Sequence, residues 1–301
     1  MKKVIFLVGP TAVGKTFFSV KLARKIGGEI ISADSVQIYK HLDIGSAKVT
    51  KEEMQGIKHY AIDILEPEEE FSVYDFVQYT KEKIDEIIAK GKVPIVVGGT
   101  ALYVKALTLG YDFGGVESDK KLRSELENLA KTKGNDHLFK LLQEKNPQMA
   151  EHTDKSNTVR LVRALEIAMG GGEKGKNDTD IDPLVIALVR DRQKLYADIN
   201  RRVDIMLANG LVKEVQGLKD RGLTLQNACM KAIDYKEVFS YLEGEYDYER
   251  MVELLKQHSR NYAKRQMTFL RGMDNINYVD TEDREKAFEE ILKLIENWGI
   301  K

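Results

Sequence analysis

Apolar and polar positions alternate along this chain in two distinct textures. Residues 4–8 (Val-Ile-Phe-Leu-Val) form an unbroken apolar run closed by Gly9, which predicts a first strand. Beyond it Phe17, Phe18, Val20, Leu22 and Ala23 follow helical spacing. Residues 29–32 predict a second strand, and Ser72 with Asp75 has capping-box spacing, with Asp in place of the usual Glu or Gln, opening a helix to about Ala89. Gly91 and Pro94 close that helix, and residues 95–97 predict a third strand ending in Gly98-Gly99. Strand, helix and buried strand in this order predict a parallel sheet with right-handed crossovers. From about Ser118 the texture becomes helical, with apolar residues three and four apart over 119–131, 136–144 and 157–169. Residues 170–183 read as a loop by composition, 184–189 as a further buried strand, and 193–298 as mostly helical. The predicted organisation is an α/β core over 1–114, an all-helical insertion over 115–183, and a core completion with a helical C-terminal part over 184–301. No internal repeat interrupts this order.

Composition narrows the class. The 301 residues are 43% hydrophobic and 32% charged, enough for a substantial core under a solvated surface, which excludes a disordered chain. The single cysteine, Cys229, excludes an internal disulfide framework and any multi-cysteine zinc site, and predicts a reduced, cytoplasmic setting. No run approaches the ~18 apolar residues of a spanning helix, so no membrane partner is expected. The run at 4–8 is also shorter than the ~7–15 residues of a signal h-region. His41, His59, His137, His152 and His258 show no metal-ligand spacing.

A net charge of −1 argues at face value against a nucleic-acid partner. Residues 254–273 nevertheless contain no acid, while Lys256, Arg260, Lys264, Arg265 and Arg271 are all positive. The spacing 256, 260, 264 puts three of them on one helical face, with Tyr262 and Phe269 among them. Taken alone, the segment reads first as a solvated helix face.

The chemistry lies in Gly9-Pro10-Thr11-Ala12-Val13-Gly14-Lys15-Thr16, which fits the phosphate-binding loop pattern G-x-x-x-x-G-K-[ST] between a strand and a helix. Successive N–H groups of such a loop cradle anionic oxygens, Lys15 adds a charge, and the Thr16 hydroxyl can ligate Mg²⁺. An ATPase of this class would carry a second apolar strand ending in Asp. Here the third strand runs into Gly98-Gly99-Thr100, and the acid, Asp34, follows the second strand instead. A carboxylate facing a polyphosphate suits a general base, although Asp34 alone reads equally as a turn or cap residue. Arg202 stands beside an apolar stripe of Leu195, Ile199, Val203 and Met206, and alone reads as a flanking ion pair.

Several blocks together resemble the bacterial tRNA dimethylallyltransferases: the phosphate loop; Asp34-Ser35-Val36-Gln37-Ile38-Tyr39 with residues 43–48; Gly98 to Tyr103; Arg160 to Glu166; Ile199 to Asp204; and Tyr262 to Arg271. The resemblance runs in order from about residue 3 to 272. It implies that the loop holds the diphosphate of dimethylallyl diphosphate rather than ATP, with Mg²⁺, and that the N6 amine of the adenosine beside the tRNA anticodon attacks the allylic carbon. It further implies that Asp34 receives the amine proton, with Thr100 and Arg202 near the reacting groups. Positions matching RNA-contacting segments of the family are Asp34, Ser35, Val36, Gln37, Thr100, Arg123, Arg160, Arg163, Lys231, Lys236, Lys264, Arg265, Gln266, Thr268 and Arg271. A monomer acting on the anticodon stem-loop is expected. Two positions depart from the family: Asp234 stands where Gly is usual, and Asp198 where many relatives have Arg. Aspartate at 234 would be costly if that backbone required positive φ. A small-molecule or nucleotide kinase and a non-catalytic nucleic-acid-binding module are the alternative classes; the first should turn over ATP and the second would make Asp34 dispensable.

Overall fold

The apolar run at 4–8 lies inside β1 (Lys2–Val8), whose last five residues are buried. A computed structural model describes residues 1–110, 119–171 and 179–300 of the chain. After β1 come α1 (Lys15–Ile26), β2 (Gly28–Ser32), α2 (Lys51–Met54), β3 (His59–Tyr60), α3 (Val73–Ala89), β4 (Val93–Gly98) and α4 (Ala101–Thr108). The predicted capping box opens α3: Ser72 Oγ accepts from the Asp75 N–H, and Asp75 Oδ2 accepts from the Ser72 N–H at 2.8 Å. Next are α5 (Lys120–Lys133), α6 (Asn135–Lys145), α7 (Pro147–Glu151) and α8 (Thr158–Met169). The chain finishes with β5 (Ile181–Val189), α9 (Arg192–Ala208), α10 (Leu211–Asp220), a 3₁₀ turn (Cys229–Lys231), α11 (Ile233–Leu242), α12 (Tyr248–Arg271), β6 (Ile276–Asp280) and α13 (Arg284–Asn297).

Six strands form one sheet in the order β3-β2-β4-β1-β5-β6, and every pairing is parallel. Three findings differ from the pattern reading. Strand β5 begins at Ile181, pairing Ile181 with Lys2 and Pro183 with Val4, so the loop preceding it is shorter than composition implied. The edge strands β3 and β6 carry no strong apolar signal; within β6 only Val279 is buried, and the strand exists because its backbone pairs with β5.

The chain divides into two compact units, Met1–Thr108 with Asp180–Lys301, and Leu109–Thr179. The expected boundary at 114/115 and half of the expected loop at 170–183 lie outside the described residues. In the first unit one core surrounds the sheet through Ile5, Leu7, Ile30, Ile95 and Ile186. A second core packs Ile38, Tyr39 and Leu42 against Val203, Met206, Val215 and Tyr235 of the C-terminal helices. The second unit has its own core around Leu138, Leu142, Leu161 and Leu165. Among the described residues no helix is long and apolar enough to cross a membrane.

Candidate active site

Parallel strands end on the same side of a sheet, so the segments after β1, β2 and β4 share one edge, where open α/β sheets carry their ligand sites. Those segments hold the phosphate loop, Asp34 and Thr100. Their approach depends on glycine at two positions. A methyl at Gly98 would overlap the Ala33 carbonyl, and one at Gly99 would overlap the Gln266 amide. With both side chains absent, the Ala33 N–H donates to Val97 O at 2.7 Å and the Thr100 N–H to Ala33 O at 3.2 Å. The Ser35 N–H then donates to Thr100 Oγ1 at 3.1 Å, which sets Asp34 beside Thr100.

Asp34 caps a turn and also faces a cavity. Its Oδ1 accepts from the Val36 and Gln37 N–H groups at 2.9 and 3.3 Å, a turn cap that fixes the carboxylate. Asp34 also lines a cavity of about 270 Å³, shared with Thr11 of the phosphate loop, Arg202, Lys231, Tyr262 and Arg265, and walled on one side by Ile199, Val203 and Met206. Lys15 Nζ donates to Gly9 O and Pro10 O at 3.0 and 2.8 Å. Burial pushes its ammonium down to about 8, the Arg202 charge adds to that, and Asp34 opposes it. Burial likewise lowers Arg202, whose compensating charges are Asp234, Asp34 and Glu53. Among the described residues, the ion pair expected of a flanking surface arginine is not found. Arg202 is instead an enclosed cation on the same cavity as Asp34, an arrangement suited to an anion.

Gln266 ties this edge together. It is 5% exposed, accepts from the Thr11 N–H at 3.0 Å and donates to Gly99 O at 2.9 Å, so its amide is committed to the protein's own backbone. One turn before it on α12, Tyr262 sits beside Thr100 and Gln266; burial and the Asp34 charge push its hydroxyl up to about 12, so it stays protonated. Gln37 is similarly engaged, its Nε2 donating to Ser46 O and Ala47 O at 3.2 Å.

Of the basic positions on α12, Lys256 pairs with Asp204 at 2.6 Å and Arg260 donates to Asn200 Oδ1 at 2.6 Å, both binding α12 to α9. Lys264, Arg265 and Arg271 are exposed, as are Lys231 and Lys236. The Thr268 hydroxyl turns back to Lys264 O at 3.0 Å. In the second unit, Arg160 is exposed, whereas Arg123 and Arg163 converge on Glu166, which is 1% exposed. Burial alone would raise the Glu166 carboxyl; hydrogen bonds from Arg123 and Arg163 reverse this and leave it below its ordinary value.

The two departures also take their places. Asp198 is neutralised by Arg190 at 2.6 Å and Arg201 at 3.4 Å. Asp234 lies in the first turn of α11 with helical backbone, so no glycine geometry is needed there. A residue the pattern reading missed is Glu214 on α10. Its carboxylate accepts from the N–H groups of Asp43, Ile44 and Gly45 at 2.7–3.0 Å and from the Tyr235 hydroxyl at 2.7 Å, pinning the segment that forms the far wall of the cavity. No local signal marks it, because the backbone groups it binds lie about 170 positions away.

A family model described as IPP transferase matches residues 37–273. The chain belongs to the IPP transferase family. It is 44% identical to a tRNA dimethylallyltransferase of Acetivibrio thermocellus over 100% of this chain and 99% of that one. It is 45% identical to the tRNA dimethylallyltransferase of Clostridioides difficile, with 96% of each covered. Among solved structures, the full-length tRNA isopentenylpyrophosphate transferase of Bacillus halodurans superposes with a TM-score of 0.77 at 40% identity, covering 99% of this chain and 96% of that one. A eukaryotic dimethylallyltransferase acting on tRNA superposes at 0.81 with 27% identity, covering 100% of this chain and 81% of that one. The family's fold is thus the fold found here, an α/β parallel sheet flanked by helices.

Proposed function

We propose that this chain transfers a dimethylallyl group from dimethylallyl diphosphate to the N6 amine of the adenosine 3′-adjacent to the anticodon of tRNA, releasing diphosphate. The observation that carries the reading is that Asp34, the phosphate loop and the enclosed Arg202 meet on one cavity with an apolar wall. The relatives named as tRNA dimethylallyltransferases support it.

The diphosphate would lie against the N–H groups of the loop, with Lys15 and Arg202 meeting its charge. Thr16 would supply the protein's ligand to Mg²⁺. Among the described residues no group of three His, Cys, Asp or Glu could hold a metal, and that donor set fits an ion held chiefly by phosphate oxygens and water. Bound there, Mg²⁺ would help neutralise the leaving diphosphate. The allylic C–O bond breaks as the N6–C bond forms, and the proton of the amine passes to Asp34. The aromatic amine is a weak nucleophile, so proton removal during attack is useful, and Asp34 is held for it by two backbone N–H groups while its second oxygen stays outside that turn. Ile199, Val203 and Met206 suit the prenyl chain. An anticodon-loop base must leave its stack to reach such a cavity, as enzymes acting on bases generally require. Lys231, Lys264, Arg265 and Arg271, all exposed, would meet RNA phosphates.

A kinase would need an acid to organise its metal at the end of β4, where this chain has Gly98-Gly99-Thr100. The deciding experiment incubates the protein with labelled dimethylallyl diphosphate and unmodified tRNA, with ATP as parallel substrate. Label should enter tRNA, ATP should remain intact, and Asp34→Asn should lose roughly 10²–10⁴ in single-turnover rate. ATP turnover without label transfer, or a near-normal rate in the variant, would overturn the assignment.

A further inference from the structure

Asp234 is the one carboxylate on the cavity that the reaction above does not use. It enters from the first turn of α11, and its sole side-chain hydrogen bond among the described residues comes from Ser259 Oγ at the long distance of 3.5 Å. Arg202 is the principal positive charge acting on it, and neither Asp234 nor any other carboxylate among the described residues closes to ion-pair distance of that guanidinium. An enclosed acid and an enclosed arginine therefore share a space without joining.

We propose that Asp234 is a positioning residue whose charge, when ionised, acts across the shared cavity on the Arg202 guanidinium and competes with an incoming diphosphate for it, and that anion binding at Arg202 is accompanied by uptake of a proton on Asp234. The inference rests on the reading that the phosphate loop and Arg202 take a diphosphate. An ionised carboxylate beside an anion site repels the ligand and competes for its cation, so the cost falls away when the acid is neutral. The state of Asp234 is poised for this. Burial pushes it up to about 6; the Arg202 charge and the Ser259 bond oppose the shift, and the charges of Asp34 and Glu237 reinforce it. The remaining groups facing that corner do not alter the sign. Lys231 and Arg265 are exposed cations on the rim, and Tyr262 stays protonated. Glu237 is itself held by His258 at 2.8 Å and by the Tyr246 hydroxyl at 3.1 Å. Glu214, across α11, is spent on Tyr235 and the backbone of residues 43–45.

Lowering pH through about 6 neutralises Asp234 and should tighten diphosphate binding; raising it should weaken binding until the acid is fully ionised. The test titrates inorganic diphosphate with Mg²⁺ into the full chain and into Asp234→Asn from pH 5 to 8, with Asp234→Ser as a second neutral variant and thermal melts on all three. The ratio of variant to wild-type affinity cancels ionisation of the probe itself. That ratio should be near one at pH 5 and rise to roughly tenfold by pH 7.5, for Asn and Ser alike. A flat ratio near one, with all three proteins binding diphosphate, would overturn the role of Asp234 and leave the diphosphate reading standing. Variants that are folded yet bind more weakly at every pH would make Asp234 a simple support for Arg202, which also overturns the proposal. Absence of diphosphate binding by the wild type would remove the underlying reading and the proposal with it.

Discussion

Replacing Gly99 by alanine isolates the contact on which the site's assembly depends. A Cβ there would come under 3.0 Å from Gln266 Nε2. The Gln266 side chain must then leave, losing its bond to Gly99 O and abandoning the Thr11 N–H. An unmet buried donor costs about 1–3 kcal/mol, and the second bond contributes about 0.5–1.5. The sum of roughly 2–4 kcal/mol corresponds to a fall in melting temperature of roughly 4–16 °C for a unit of this size. Gly99 has no positive φ, so backbone strain adds nothing. The assay is a double-mutant cycle in thermal melts. In a Gln266→Ala background the methyl loses both Gln266 contacts and keeps Gly9 O at 3.3 Å, and Gly99→Ala should cost less than about 1 kcal/mol. Additivity of the two substitutions within about 0.5 kcal/mol would refute the account, because the clash would then lie elsewhere.

Two further outcomes follow from the cations of the site. Lys15, lowered to about 8, carries its charge below that pH and loses it above, so the ratio of wild-type to Lys15→Met affinity for diphosphate should be constant below about pH 7 and fall as pH rises past 8; a ratio that holds level to pH 9.5 in a calorimetric titration would contradict the burial argument. Arg265 and Arg271 are exposed, so Arg265→Gln with Arg271→Gln should reduce the salt dependence of tRNA binding by about 0.7 log units per log unit of salt for each contact removed, with melting almost unchanged; unchanged slopes with a lowered melting temperature would make that face structural.

How far the sequence revealed all this depended on the range of the interactions. The phosphate loop, the capped α3 and the central strands were legible because each is written in a few consecutive residues. Edge strand β6 was not, since its single buried residue, Val279, gives no periodicity and its partner lies in β5. Resemblance placed Arg123, Arg163, Gln37 and Gln266 at RNA-contacting positions, and the folded chain binds all four side chains internally: two to Glu166, one to the backbone of residues 46 and 47, one to the phosphate loop and Gly99. Sequence gives an amide or guanidinium no direction; tertiary packing does. Glu214 illustrates the limit, a carboxylate among many on helical surfaces until residues 43–45 are brought to it.

Helix α12 is a rod of 24 residues, about 36 Å long, that carries two loads. Gln266 on its inner side grips the phosphate loop at Thr11, while Lys264 and Arg265, neighbours of that glutamine in sequence, face solvent. A ligand drawing on the outer face and a ligand filling the loop therefore act on the same rigid body. Whatever factor one ligand imposes on the affinity of the other must be returned in equal measure. Any such coupling has a physical route through one buried amide.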